Sequence, residues 1–166
     1  MNPHLELPSL KYKESFLAVF DEYPDGKIVD NFSQSKLTGN FEQFLESLKN
    51  ESEGKNLSEG YVPQTVYWLV DGDRFIGRVG IRHILNDKLL KEGGHIGYSI
   101  RPSERKKGYG TLALKLALPK AREIGIEKAL LTCNFDNLAS KKIIEKNGGI
   151  LENQIENKLR FWVPTS

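Results

Sequence analysis

The chain has 166 residues, the length of one domain with an ordinary core, and its 24 basic and 22 acidic residues leave a formal charge of +2. That balance excludes the global positive field of a nucleic-acid binder, and no run of about 18 apolar residues is present to cross a membrane. A single cysteine, Cys133, excludes an internal disulfide, and three scattered histidines give no metal-ligand spacing, so no metal is expected. The first eight residues lack a charged segment leading into an apolar one, so the expectation is a soluble, cytoplasmic protein of one domain, 1–166.

Taken in chain order, Phe16, Leu17, Val19 and Phe20 fall on one side of a helical repeat over 13–23, which Pro24, Asp25 and Gly26 stop with turn chemistry. Residues 30–40 are polar and irregular. Phe41, Phe44, Leu45 and Leu48 follow the i, i+3, i+4, i+7 template, which predicts an amphipathic helix packed on a sheet, ending near Gly54. After a polar stretch over 51–60, Thr65 to Val70 and Phe75 to Ile84 read as antiparallel strands joined by an Asp71-Gly72-Asp73 turn. A polar loop over 86–94 leads to the strand His95 to Ile100. A helix from about Gly108 places Leu112, Leu116 and Ala117 on a shared face. Pro119 lacks the donor for the carbonyl four residues back, which predicts a bend or an early end there. Lys128 to Cys133 reads as a buried strand. The helix 137–146 has Asp136 at its cap position and ends at Gly148 and Gly149. A terminal hairpin over 150–155 and 159–163 closes the chain. Helices mix with strands in local hairpins, so the fold class is α+β.

Between the strand ending at Ile100 and the helix that follows lies Arg101-Pro102-Ser103-Glu104-Arg105-Lys106-Lys107-Gly108-Tyr109-Gly110-Thr111. Backbone N–H groups at a helix start have no intrahelical acceptor and, with the helix dipole, favour an anion. Three consecutive cations are poorly matched to the positive end of that dipole unless an anion sits there. Glycines at 108 and 110 remove side chains that would stand between backbone and ligand. The P-loop spacing is absent, and Ala113 stands where a dinucleotide fingerprint needs its third glycine.

The run 105–110 resembles the Arg/Gln-x-x-Gly-x-Gly/Ala motif of the GNAT superfamily of N-acetyltransferases. The order of strand, motif, helix, strand and the Asn137-Leu138-Ala139-Ser140 helix start resembles that superfamily over the last 100 or so residues, whereas residues 1–60 match none of its motifs. The resemblance implies a mixed, mostly antiparallel central sheet of six or seven strands flanked by helices, with acetyl-CoA as cosubstrate and an amine as acceptor. It implies direct acetyl transfer in a ternary complex, with a non-catalytic acetyl-CoA-binding sensor as the alternative. The cofactor set it implies is Ile100, Arg101, Arg105, Lys106, Lys107, Gly108, Tyr109, Gly110, Thr111, Asn137 and Ser140, with the oxyanion amide near Ile100.

An ammonium of pKa about 10.4 is neutral in about one molecule in 2,500 at pH 7, a deficit of about 4–5 kcal/mol, whereas a thiol near 8.5 is close to neutrality. A general base therefore matters more than a general acid. His95 is the first candidate base, and Tyr98, on the opposite face of its strand, is the second. The superfamily's usual tyrosine position is Ile144 here, and its usual phenylalanine is Gly149, which leaves Ser140 or water to serve the thiolate. Cys133 reads as a buried apolar residue. Asp21, Glu22 and Asp25 are acidic groups that could attract a cationic acceptor. The terminal hairpin offers a surface for a homodimer, and Trp162 fits that surface or the core.

Overall fold

In the computed structural model, which describes residues 1–23, 37 and 39–166, seven strands and five α-helices surround two apolar cores. The predicted turn at 24–26 and most of the irregular stretch 30–40 lie outside the described residues. Strand β1 (His4–Glu6) leads through a 3₁₀ turn at Leu10–Tyr12 into α1 (Lys13–Leu17), extended by a second 3₁₀ turn at Ala18–Glu22. Helix α2 (Phe41–Ser52) precedes the hairpin of β2 (Gln64–Asp71) and β3 (Arg74–Arg82). A short helix, α3 (Asp87–Lys91), stands in the loop before β4 (Ile96–Ile100). Then follow α4 (Tyr109–Glu123), β5 (Lys128–Asn134), α5 (Leu138–Lys146) and the hairpin of β6 (Ile150–Ile155) and β7 (Lys158–Pro164).

The expected single mixed sheet is corrected: there are two antiparallel sheets, ordered β1-β2-β3-β4 and β5-β7-β6. The facing edges of β4 and β5 form no ladder and meet at one point. There His95 N–H donates to the Leu130 carbonyl at 2.7 Å, while Leu130 N–H donates to the imidazole Nδ1 of His95 at 2.9 Å. A side chain takes the acceptor place that a parallel ladder would give to a carbonyl, and pairing stops. Gly94 permits the approach: its φ is +61°, and a Cβ there would sit 2.2 Å from the Leu130 oxygen.

The first sheet is covered on both faces. Phe16, Phe20, Phe41, Val66, Trp68 and Phe75 pack α1 and α2 against one face, as the apolar template of α2 predicts. Against the other lies α4, which approaches the sheet through Ala113, Ala117 and Ala121, with Leu114 and Leu118 beside them. Its buried stripe is thus shifted by one residue from the expected Leu112 and Leu116, because the small alanines admit the closest approach to the sheet. Helix α4 also runs through Pro119 without ending. The carbonyl that loses its donor belongs to Lys115, which lies with Pro119 on the exposed side, where water can satisfy it. Among the described residues, no helix is long and apolar enough to cross a membrane.

Candidate functional site

The turn between β4 and α4 presents a row of donors. Lys106 and Gly108 adopt left-handed backbone angles, φ +62° and +86°, and Gly108 stands at the N-cap of α4. Among the described residues, the N–H groups of Lys106, Lys107, Gly108, Tyr109, Gly110 and Thr111 find no acceptor. Six consecutive donors at the positive end of a 15-residue helix form a concavity suited to an anion. Side chains hold the turn in shape: Arg105 Nε donates to the Ile100 carbonyl at 3.0 Å, and its guanidinium lies over the Tyr23 ring. Lys107 pairs with Glu104 at 3.1 Å, which also pairs with Arg74. Lys106 is exposed.

Three side-chain placements bear on the expected site. Arg101 does not face the turn: its guanidinium is bound to Glu22, with further bonds to the Phe75 carbonyl and to Ser15 Oγ. Glu22, which also accepts from Ser103, is therefore a structural partner and not a lure for a cationic acceptor. Gly110 serves packing, since a Cβ there would stand 2.6 Å from Ile143 Cδ1, whereas the space beside Gly108 is open.

The open edge of β4 runs from this turn. Arg101 N–H bonds the Ile76 carbonyl at 2.9 Å, and β3 pairs with β4 in the same register, so alternation turns the N–H groups of Tyr98 and Ile100 away from β3 and toward β5. Asn137 caps α5, its Oδ1 accepting from Ser140 N–H at 3.1 Å; the cap is thus Asn137 and not Asp136. The Ser140 hydroxyl lies 2.8 Å from the Tyr98 hydroxyl, which links β4 to α5 across the gap between the sheets.

Burial pushes the Tyr98 phenol up to about 12, with the Ser140 hydrogen bond working against it and nearby Cys133 adding to it. At that value only about one molecule in 10⁵ is ionised at pH 7, so Tyr98 is unsuited to be a base and suited to donate a hydrogen bond. His95 is likewise unsuited. Its Nδ1 accepts from Leu130 N–H, which puts the neutral ring's proton on Nε2 and leaves no lone pair, while burial and the charge of Arg82 hold its pKa below the usual value. Ile144 is buried in the core, and a Cβ at Gly149 would sit 2.4 Å from it, so the two departures from the superfamily pattern accommodate one another.

On the face of the first sheet opposite α4 lies a cavity of about 730 Å³, which no motif in the sequence marks. Its floor is Arg78, Gly80 and Arg82 of β3 with Gly97 and Ser99 of β4; its walls include Phe44, Leu48 and Glu51 of α2 and Trp68 of β2. It reaches Tyr98, so it borders the open edge of β4. Burial raises the Glu51 carboxyl above its usual range, against a hydrogen bond from Gln64 at 3.2 Å and the charge of Arg82. The only available signal was a pair of half-buried arginines, at 78 and 82, on a strand whose remaining residues after the exposed Arg74 are apolar or glycine. Among the described residues, no group of three His, Cys, Asp or Glu side chains is placed to hold a metal.

A family model described as an acetyltransferase (GNAT) domain matches residues 18–150. No curated protein sequence matches the chain. Among solved structures, the chain is similar to the microcin C7 self-immunity acetyltransferase MccE in complex with acetyl-CoA and AMP, at 18% identity and TM-score 0.64 over 96% of this chain and 91% of that one. The PaiA N-acetyltransferase of Thermoplasma acidophilum in complex with coenzyme A matches at 14% identity and TM-score 0.62 over 99% of both chains. Mycobacterium smegmatis RimJ in complex with CoA-disulfide matches at 12% identity and TM-score 0.70 over 96% of this chain and 80% of that one.

Proposed function

The chain belongs to the acetyltransferase (GNAT) domain family, and we propose that it moves an acetyl group from acetyl-CoA to a primary amine of a small molecule or peptide, by direct transfer in a ternary complex. The observation that carries this reading is the row of six unpartnered N–H groups at 106–111 beside the open edge of β4. Bound acetyl-CoA would supply the thioester carbonyl and a thiolate leaving group. The amides of 106–111 would hold its diphosphate, with Lys106 adding charge. Asn137, whose Nδ2 makes no hydrogen bond among the described residues, and the β4 edge would hold the pantetheine arm. The Tyr98 and Ile100 amides are the donors suited to the carbonyl oxygen as it gains charge.

The acceptor would enter from the cavity over β3 and reach the same edge of β4 from the other side. Glu51 is the cavity carboxylate best suited to take the proton from the incoming ammonium, directly or through water, since burial has raised its proton affinity. Glu92, the other carboxylate in the lining, is paired with Lys158 at 2.8 Å. The Tyr98–Ser140 pair would donate a hydrogen bond to the departing sulfur. A phenol near 12 does not protonate a thiolate near 8.5 at equilibrium, so its contribution is stabilisation of charge.

A homodimer, if formed, would use β6, an edge strand exposed along nearly its whole length. The test of the function is a thiol-release assay with acetyl-CoA and an amine panel. Release that depends on the amine supports the transferase; acetyl-CoA binding with no release from any amine favours a sensor.

A further inference from the structure

An amide reaches the Glu51 carboxylate across the floor of the cavity. Glu51 stands in the last turn of α2, at the negative end of the helix dipole, so burial and the helix both resist its ionisation. Among the described residues its carboxylate takes one hydrogen bond, from Gln64 Nε2 at 3.2 Å. Gln64 is the first residue of β2, and the strand beside it sets its course.

In the β2–β3 ladder Gln64 lies opposite Arg82, Val66 opposite Gly80 and Trp68 opposite Arg78, and these six residues alternate onto the cavity face. The Gln64 side chain leans to its diagonal neighbour and covers Gly80: a Cβ at position 80 would sit 2.7 Å from Oε1 and 3.1 Å from Cδ of Gln64. Any side chain at 80 would therefore push the amide from its place. A glycine inside a strand weakens the strand, and here it is the gap through which Gln64 reaches α2.

The charged and titratable groups around Glu51 come from every wall. Arg82 of β3 favours the ionised carboxylate through its charge, while its Nη1 donates to the carbonyls of Gly93 and Gly94. Arg78 of β3, Lys88 of α3, Glu92 just after α3, Tyr61 and Tyr98 line the same cavity, with Glu92 paired to Lys158. We propose that Gln64, given room by Gly80, is the positioning residue of this site: it aims the Glu51 carboxylate into the cavity and keeps it ionised for the incoming ammonium. The inference rests on Glu51 as the base in the transferase reading and adds what makes that base available. Without the amide, burial and the helix end act on Glu51 against the charge of Arg82 alone, so a smaller share of the chain carries the base at a given pH.

The first step of the test needs no identified acceptor. The Glu51 side-chain carboxyl is followed by carbon NMR through a pH titration of the full chain, its signal assigned by its loss in Glu51→Gln. In Gln64→Leu its midpoint should rise by about 1 pH unit, the size of one hydrogen bond to a charged group. Gly80→Ala keeps the amide but displaces it, and since Gly80 has no left-handed backbone angle the substitution acts through that contact; the midpoint should rise here too. The acid limb of kcat/KM, measured by thiol release with the amine that turns over fastest, should move up by the same interval in each variant with unchanged acetyl-CoA affinity, which a merely structural role would not produce. A midpoint unmoved in both variants, or an acid limb that Glu51→Gln removes but both variants leave in place, overturns the inference and leaves Glu51 as the base. An acid limb that persists in Glu51→Gln overturns the base reading itself.

Discussion

Replacing Gly94 with alanine probes the joint that sets the two sheets apart. Its φ of +61° alone costs a side-chain-bearing residue about 1–2 kcal/mol. The new Cβ would also meet the Leu130 carbonyl, 2.2 Å from the oxygen and 2.8 Å from the carbon, where ordinary contact begins near 3.4 Å. These are backbone atoms without a rotamer to escape into, so β4 and β5 must move apart by roughly 1 Å at the joint, the shortfall in that contact. The movement stretches two hydrogen bonds, His95 N–H to the Leu130 carbonyl and Leu130 N–H to His95 Nδ1, each contributing about 0.5–1.5 kcal/mol. The expected loss is about 2–5 kcal/mol in urea unfolding. Gly108→Ala is the internal control: φ is +86° but nothing lies within 4 Å of the new Cβ, so strain alone acts and the loss is about 1–2 kcal/mol. A Gly94→Ala loss no larger than that of Gly108→Ala would refute the claim that the Leu130 carbonyl closes on Gly94.

Gly108→Asp should abolish acetyl-CoA binding in titration calorimetry by putting a carboxylate among the 106–111 amides, with a stability loss near that of Gly108→Ala; unchanged affinity would contradict the placement of the diphosphate. Tyr98→Phe should lower kcat about tenfold with little change in either KM, the loss of one hydrogen bond to developing charge, and an unchanged kcat would remove Tyr98 from the reaction. His95 gives a pH dependence of stability. Its folded pKa lies below the unfolded value of about 6.5, so the unfolded chain binds more protons in that interval and stability falls as pH drops below about 6.5, until the folded pKa is passed. The urea midpoint of the wild type should therefore fall more between pH 7.5 and 5.5 than that of His95→Gln, and parallel falls would contradict the neutral, acceptor role of Nδ1.

The anion turn was legible in the sequence because its signal is local: glycine, cations and a helix start occupy six consecutive positions. Even there no local pattern tells that the Arg101 side chain turns back to Glu22 or that the missing side chain of Gly110 makes room for Ile143. The hairpins and amphipathic α2 followed from periodicity. Strand β1 is three residues long and too short to show a period, and α3 hides in a polar loop although Asn86 caps it. The division of the sheet depends on one histidine side chain taking a carbonyl's place, which pattern alone does not encode. The arginine pair at 78 and 82 looks, along the chain, like the solvent face of an ordinary strand; only the cover of α2 turns that face into a cavity.

Residue-resolved amide hydrogen exchange of the wild-type chain with and without acetyl-CoA tests the central claim most directly. The expected result is slowed exchange on binding at the 106–111 amides and at Tyr98 and Ile100, with the Gly108→Asp chain showing none. Exchange unchanged at 106–111 while acetyl-CoA binds elsewhere, or no binding at all, would contradict it.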